Sequence, residues 1–140
     1  CTKIQGQFTS APSSITQAAA AAALEADPTL VDDMVEAFRG RRALMVEGLS
    51  KVPGFKVNQP MGAFYVFPDV SALFGKSFNG KSIENANDVA FFLLEEARVA
   101  TVSGAAFGTP ECIRLSYAAA DDVLREAVRR IDEACRQLSE

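Results

Sequence analysis

A chain of 140 residues, 49% of them apolar and 23% charged, has the size and composition of one globular domain able to bury a real core. Its formal charge of −4 argues against a general affinity for nucleic acid or an anionic membrane surface, and neither is expected as a partner. It contains no histidine, which removes Ser-His-Asp and Cys-His catalysis and every histidine metal site.

In chain order, residues Cys1–Thr9 read as extended and polar, with Ile4 and Phe8 as the apolar members. Ser10-Ala11-Pro12-Ser13 is a turn. Ser14 and Gln17 have the spacing of a capping box, so a helix should start at Ser14 and run through the alanines 18–23 to Leu24 or Glu25. Asp27-Pro28 reads as an N-cap acid followed by proline at the first helical position. The helix it opens should reach about Ser50, with Val31, Met34, Val35, Phe38, Met45 and Leu49 near one face. Arg39, Arg41 and Arg42 fall mostly on the other, as a solvated basic face. Pro53-Gly54 stops this helix.

Phe55-Lys56-Val57 is a short strand and Asn58–Gly62 a turn. Ala63-Phe64-Tyr65-Val66-Phe67 is the strongest strand pattern, and its continuous apolar run predicts that both faces are covered. Residues Phe74–Asn85 are polar and aperiodic, the best candidate for a mobile surface loop. Asn87 or Asp88 should cap a third helix, to about Ala97, with Val89, Phe92 and Leu93 inward. Val99–Val102 is a strand and Ser103–Gly108 a small-residue loop. Cys112-Ile113-Arg114-Leu115-Ser116-Tyr117 then alternates apolar and polar residues, a strand with one buried face. The last helix opens at Asp121 or Asp122 and carries a stripe of Val123, Leu124, Ala127, Val128, Ile131, Ala134, Cys135 and Leu138. The order implies an α+β fold: a small, mainly antiparallel sheet covered by helices, with a long N-terminal helix. Residues 1–27 fit this unit less well and look like the end of something else. The chain opens at Cys1 inside a stretch read as a strand, so a piece of a longer protein is expected.

Few residues offer chemistry. The glycines at 104 and 108 have the wrong spacing for a dinucleotide turn or a P-loop. The acid pair Asp121-Asp122 is explained by a helix N-terminus, and no metal cluster can be built. The three cysteines are widely spaced and form neither a disulfide framework nor a zinc pattern, which favours a reducing cytoplasm. No apolar run reaches membrane-spanning length. Lys3, Lys51, Lys56, Lys76 and Lys81 sit in polar contexts, unlike a desolvated nucleophilic lysine. Arg114 remains: a planar, always-charged fork in the middle of an apolar strand, which needs a carboxylate or phosphate partner. An internal acid and a ligand are both open.

Three stretches, Pro60–Pro68, Val102–Gly108 and Ile113–Ala118, occur in an order and at intervals that resemble the C-terminal part of fold-type-I, pyridoxal-phosphate-dependent aminotransferases, particularly the bacterial aspartate aminotransferase branch. Phe8–Ala19 is similar to the segment before that family's interdomain helix. The resemblance implies that residues 1–27 are the end of a large cofactor domain and residues 28–140 the small domain of a homodimeric enzyme. The family passes an amino group from an amino acid to a 2-oxo acid. It uses pyridoxal 5'-phosphate held by a Schiff-base lysine, which in the family lies upstream of the matching region. The chain alone is therefore expected to contain no catalytic residue, to bind no cofactor and to be inactive. Arg114 matches the residue that pairs with the substrate α-carboxylate. Tyr65 is implied to line the substrate mouth, and Phe64 is read as core. Thr9 and Ser10 match a segment that reaches the neighbouring subunit's cofactor or substrate. Two alternatives are a non-catalytic binding or dimerisation module, and another member of the superfamily such as a C–S lyase or an aromatic aminotransferase.

Overall fold

The computed structural model describes residues 1–9 and 11–139, and the chain divides into two units, Cys1–Val35 and Glu36–Glu140. The first unit carries helices α1 (Thr2–Phe8) and α2 (Ser14–Glu25) and a 3-10 turn, Pro28–Val31. None of its described residues is buried. Helix α1 replaces the extended segment expected there. A strand must pair its backbone groups with a neighbour, and among the described residues of this unit none does so. The groups are satisfied locally instead: the Gln5 N–H donates to the Cys1 carbonyl at 2.9 Å and the Thr9 N–H to the Gln5 carbonyl at 2.8 Å. Helix α2 begins at Ser14 as expected, but its cap is one residue earlier. The Ser13 hydroxyl accepts the Thr16 N–H, and Gln17 donates to the Pro12 carbonyl. Asp27 caps the 3-10 turn by accepting the Thr29 N–H at 2.9 Å, a bond that also holds its carboxyl below the usual range.

Helix α3 (Asp32–Leu49) runs on from that turn. In the second unit it buries Met45 and Leu49, whereas Val31, Met34 and Val35 are exposed, so the predicted apolar face holds only in the C-terminal half. The basic face is not simply solvated. Arg39 pairs with exposed Glu36, but Arg41 reaches Asp121 at 3.2 Å and stands over the Phe38 ring. Arg42 donates to the Pro60 carbonyl at 3.1 Å. The long stems let these side chains fold back along the protein and tie α3 to its neighbours.

The central sheet is antiparallel, in the order β1 (Tyr65–Val66), β5 (Ile113–Ser116), β4 (Val102–Ser103). Its strands are shorter than the sequence pattern suggests. Ala63 takes a left-handed φ of 60°, which starts β1 late. The Phe55–Val57 strand survives only as a bridge from Lys56 to Asp69, which also bridges to Cys112. One face of β1 is covered: Val66 is fully buried, Tyr65 and Phe67 are half-buried and Phe64 is exposed. The expected mobile loop is a second, two-stranded hairpin, β2 (Ser77–Phe78) against β3 (Lys81–Ser82). Its turn is Asn79-Gly80, both at positive φ (48° and 79°), the combination that closes a two-residue hairpin. Ile83 is buried, and the Phe78 ring lies 5.4 Å from Phe92.

Helix α4 (Ala86–Glu95) is capped by Asn85, two or three residues before the expected cap, through bonds from the Asn87 and Asp88 N–H groups. It buries Val89, Phe92 and Leu93 as predicted. Helix α5 (Asp121–Cys135) buries Leu124, Ile131, Ala134 and Cys135, but Val123 points outward and is exposed. These residues, with Met45, Leu49, Val66, Ile113 and Leu115, form one core cluster. The second unit is thus the α+β arrangement expected, with helices over a small antiparallel sheet. Among the described residues no helix is long and apolar enough to cross a membrane, and no group of three metal-ligating side chains occurs.

Two glycines separate backbone demand from helix propensity. A Cβ at Gly104 would stand 2.2 Å from the Thr109 carbonyl oxygen and 2.6 Å from that of Cys112, whereas one at Gly40 on α3 would meet nothing within 4 Å. In urea unfolding, Gly104→Ala should lose stability by about 1–3 kcal/mol or more, and Gly40→Ala should gain up to about 1 kcal/mol. The thiols give a second test. Cys1 is exposed; Cys112 and Cys135 are buried, and burial pushes the Cys135 thiol up to about 12 and that of Cys112 in the same direction. A disulfide reagent at pH 8 should titrate one thiol rapidly in the native chain and the other two only on unfolding.

Candidate functional site: an arginine on an aromatic sheet face

The alternation of β5 sends Ile113 and Leu115 into the core, 0% and 3% exposed, so Arg114 and Ser116 stand on the opposite face. The register then decides their neighbours. Tyr65 lies opposite Ser116, and Val102 lies opposite Arg114. Phe67, two residues beyond Tyr65, shares that face. The guanidinium carbon of Arg114 stands 4.4 Å from the centre of the Tyr65 ring and 4.5 Å from that of Phe107. Phe107 in turn meets Phe67 edge to face at 6.1 Å.

This answers the question raised by an arginine in an apolar strand. Among the described residues, every ion pair joins other partners, so no internal acid neutralises Arg114. Two aromatic faces flank it instead. Such contacts contribute about 0.5–2 kcal/mol each. Among the described residues the guanidinium makes no ion pair and no side-chain hydrogen bond, so the fork that fits a carboxylate bidentately is not taken up by another protein group.

Each ring is held by its own local device. Phe107 ends the 3-10 turn Gly104–Phe107, which Ser103 opens by accepting the Ala105 N–H and Gly108 closes at a left-handed φ of 79°. The turn folds directly onto the strand entering β5, with the Gly104 N–H donating to the Cys112 carbonyl at 2.7 Å and the Thr109 N–H to the Gly104 carbonyl at 3.0 Å. Only a residue without Cβ permits this approach. On the other side, buried Tyr117 secures the entry to β1. Its hydroxyl donates to the Ala63 carbonyl at 2.9 Å, and its N–H donates to the Phe64 carbonyl at 2.9 Å. Tyr65 follows directly from that anchored turn.

The structure therefore brings Arg114 and Tyr65 together. Phe64 is not a core residue: it is 41% exposed, with its ring 4.4 Å from Tyr65 and 6.3 Å from Phe38. The reason is the short β1, which leaves Phe64 in the turn before the strand. Thr9 lies in the first unit, exposed, at the end of α1, where its hydroxyl donates to the Gln5 carbonyl at 2.9 Å. Ser10 lies outside the described residues. The sequence marks Phe107 only as part of a small-residue loop. The available signal was a single large aromatic among residues otherwise too small to pack. Of the lysines, Lys51 and Lys81 are exposed and paired with Glu47 and Glu95, Lys3 and Lys56 are exposed, and Lys76 is half-buried.

Comparison with known proteins places the chain in a family. The model of the family "Aminotransferase class I and II" matches residues 1–131. A bifunctional aspartate aminotransferase and glutamate/aspartate-prephenate aminotransferase from Petunia hybrida is 47% identical over 138 residues, which is 96% of this chain and 29% of that protein. The crystal structure of the aspartate aminotransferase from Rhizobium meliloti superposes with a TM-score of 0.89 at 42% identity, covering 97% of this chain and 34% of that one. An aromatic aminotransferase from Pyrococcus horikoshii OT3 superposes with a TM-score of 0.79 at 31% identity, covering 96% of this chain and 34% of that one. The chain thus spans about a third of the length of the relatives it matches. An α+β unit, an unpaired arginine on its aromatic sheet face and a family match across nearly all residues lead to one conclusion: the chain belongs to the class I and II aminotransferases, the fold-type-I pyridoxal-phosphate-dependent family.

Proposed function

We propose that this chain is the substrate-carboxylate half of an aspartate aminotransferase. In a protein of the relatives' length, residues 1–27 would complete a large cofactor domain, residues 28–140 would form the small domain, and two such subunits would make a homodimer. The observation that carries this reading is the state of Arg114: half-buried, flanked by Tyr65 and Phe107, and free of any acid partner among the described residues.

A planar fork that meets a carboxylate through two parallel N–H···O bonds fixes both the position and the rotation of the group it holds. Held at its α-carboxylate, an amino or 2-oxo acid has its Cα placed within a few ångströms of the reacting centre without further search, and orientation of this kind can supply several kcal/mol of the barrier reduction. The Tyr65 ring would close one wall of the substrate mouth and limit water at the ion pair, which strengthens it. Pyridoxal 5'-phosphate, when bound, supplies the electron sink at Cα and the carrier for the amino group. This chain's residues suit the substrate end of such a site and not the cofactor's. Its exposed lysines, two of them paired with glutamates, are not the desolvated amine that cofactor attachment requires, so that amine is proposed to come from the cofactor domain. Thr9 and Ser10 would face the neighbouring subunit's site, and the chain alone would be inactive. The choice of aspartate draws support from the names borne by the relatives from Petunia hybrida and Rhizobium meliloti.

The test is Arg114→Ala in the full-length enzyme. Removing one partner of a desolvated charge pair costs about 3–5 kcal/mol, so kcat/KM for the amino acid should fall by roughly two to four orders of magnitude. Arg114→Lys, which keeps the charge but loses the fork, should recover only part of this. Unchanged kinetics in Arg114→Ala would remove the assignment.

A further inference from the structure

We infer that Phe107 is a positioning residue for the substrate carboxylate, acting through Arg114; the inference rests on the carboxylate role proposed for that arginine. Phe107 is a large apolar side chain that the core does not use. It is 47% exposed and stands outside the core cluster. Its aromatic contacts are the Arg114 guanidinium, 4.5 Å from its ring centre, and the Phe67 ring, T-shaped to it with the centres 6.1 Å apart. The backbone beneath it is nonetheless tightly specified, by Ser103 at the start of the turn, by Gly104 against the Thr109 and Cys112 carbonyls, and by Gly108 in the left-handed region. A turn this constrained that ends in a half-exposed aromatic has one evident product: the placement of that ring over the cation.

The physical effect follows from the arginine stem. An unrestrained arginine carries about 2 kcal/mol of rotamer entropy, part of which is lost each time it engages a ligand. Tyr65 restrains the head group from β1, and Phe107 restrains it from a different element on the β4 side. With both rings in place the plane of the fork is set before the ligand arrives, and carboxylate binding pays less for ordering. Removal of Phe107 leaves the charge present but its orientation loose. Binding of the carboxylate is therefore expected to weaken without loss of cofactor or fold.

The experiment compares Phe107→Leu, Phe107→Tyr, Arg114→Ala and the double variant Phe107→Leu/Arg114→Ala in the full-length holoenzyme, with succinate as a non-reacting carboxylate probe. Phe107→Leu should raise the amino-acid KM and the succinate inhibition constant by roughly 3- to 30-fold, the range of one cation–π contact. Saturated kcat and the cofactor's visible absorption should stay within about twofold. Phe107→Tyr, which retains the ring face, should return to near the parent values. The double variant should be no worse than Arg114→Ala alone, because the ring acts only through the arginine. Parent-like binding in Phe107→Leu, or a loss that multiplies with that of Arg114→Ala, would overturn the positioning role while leaving Arg114 in place. An Arg114→Ala enzyme with parent kinetics would overturn the carboxylate assignment itself.

Discussion

The period of β5 is the constraint on which the site depends. Side chains alternate across a strand, so burying Ile113 and Leu115 sends Arg114 to the other face, and a one-residue slip would put the guanidinium in the core. The pairing with β1 and β4 fixes that register. Everything that shapes the charge is attached to the same three strands: Tyr65 on β1, Val102 on β4, and Phe107 on the turn leaving β4. The apolar core below and the cationic face above are two consequences of one alternation.

The fold was legible where a segment's own chemistry was sufficient. Helix α5 has a clean apolar stripe, and α4 turns Val89, Phe92 and Leu93 inward as its spacing requires. The reading failed where partners decide. Residues 2–8 carry no strong period, and with no neighbouring strand among the described residues of their unit they close local helical bonds. The polarity of Phe74–Asn85 suggests a mobile loop and masks Asn79-Gly80, a pair that supplies the two positive φ angles of a tight hairpin. The continuous apolar run at residues 63–67 suggests a strand covered on both faces, yet Tyr65 and Phe67 are only half-buried on the Arg114 face, Tyr65 against the cation and Phe67 against Phe107.

The candidate site divides along the same line. Arg114 could be singled out from sequence because a charge in an apolar strand demands an explanation. Phe107 could not, since its role depends on a close approach between Gly104 and the Cys112 carbonyl that no spacing rule predicts. That no acid pairs with the arginine among the described residues is likewise a property of the fold: the sheet geometry sets the guanidinium among rings instead. An unpaired, half-buried cation is costly to maintain for stability alone, which favours a ligand as its partner.

The central claim is that the N–H edge of Arg114 receives the substrate carboxylate. A crystal structure of the full-length holoenzyme with an unreactive 2-methyl amino acid bound measures this directly. The account predicts two parallel N–H···O contacts of about 2.7–2.9 Å between the Arg114 guanidinium and one carboxylate, with the Tyr65 and Phe107 rings still flanking the cation. A carboxylate bound to another residue, with Arg114 turned away or paired to a protein acid, would contradict it.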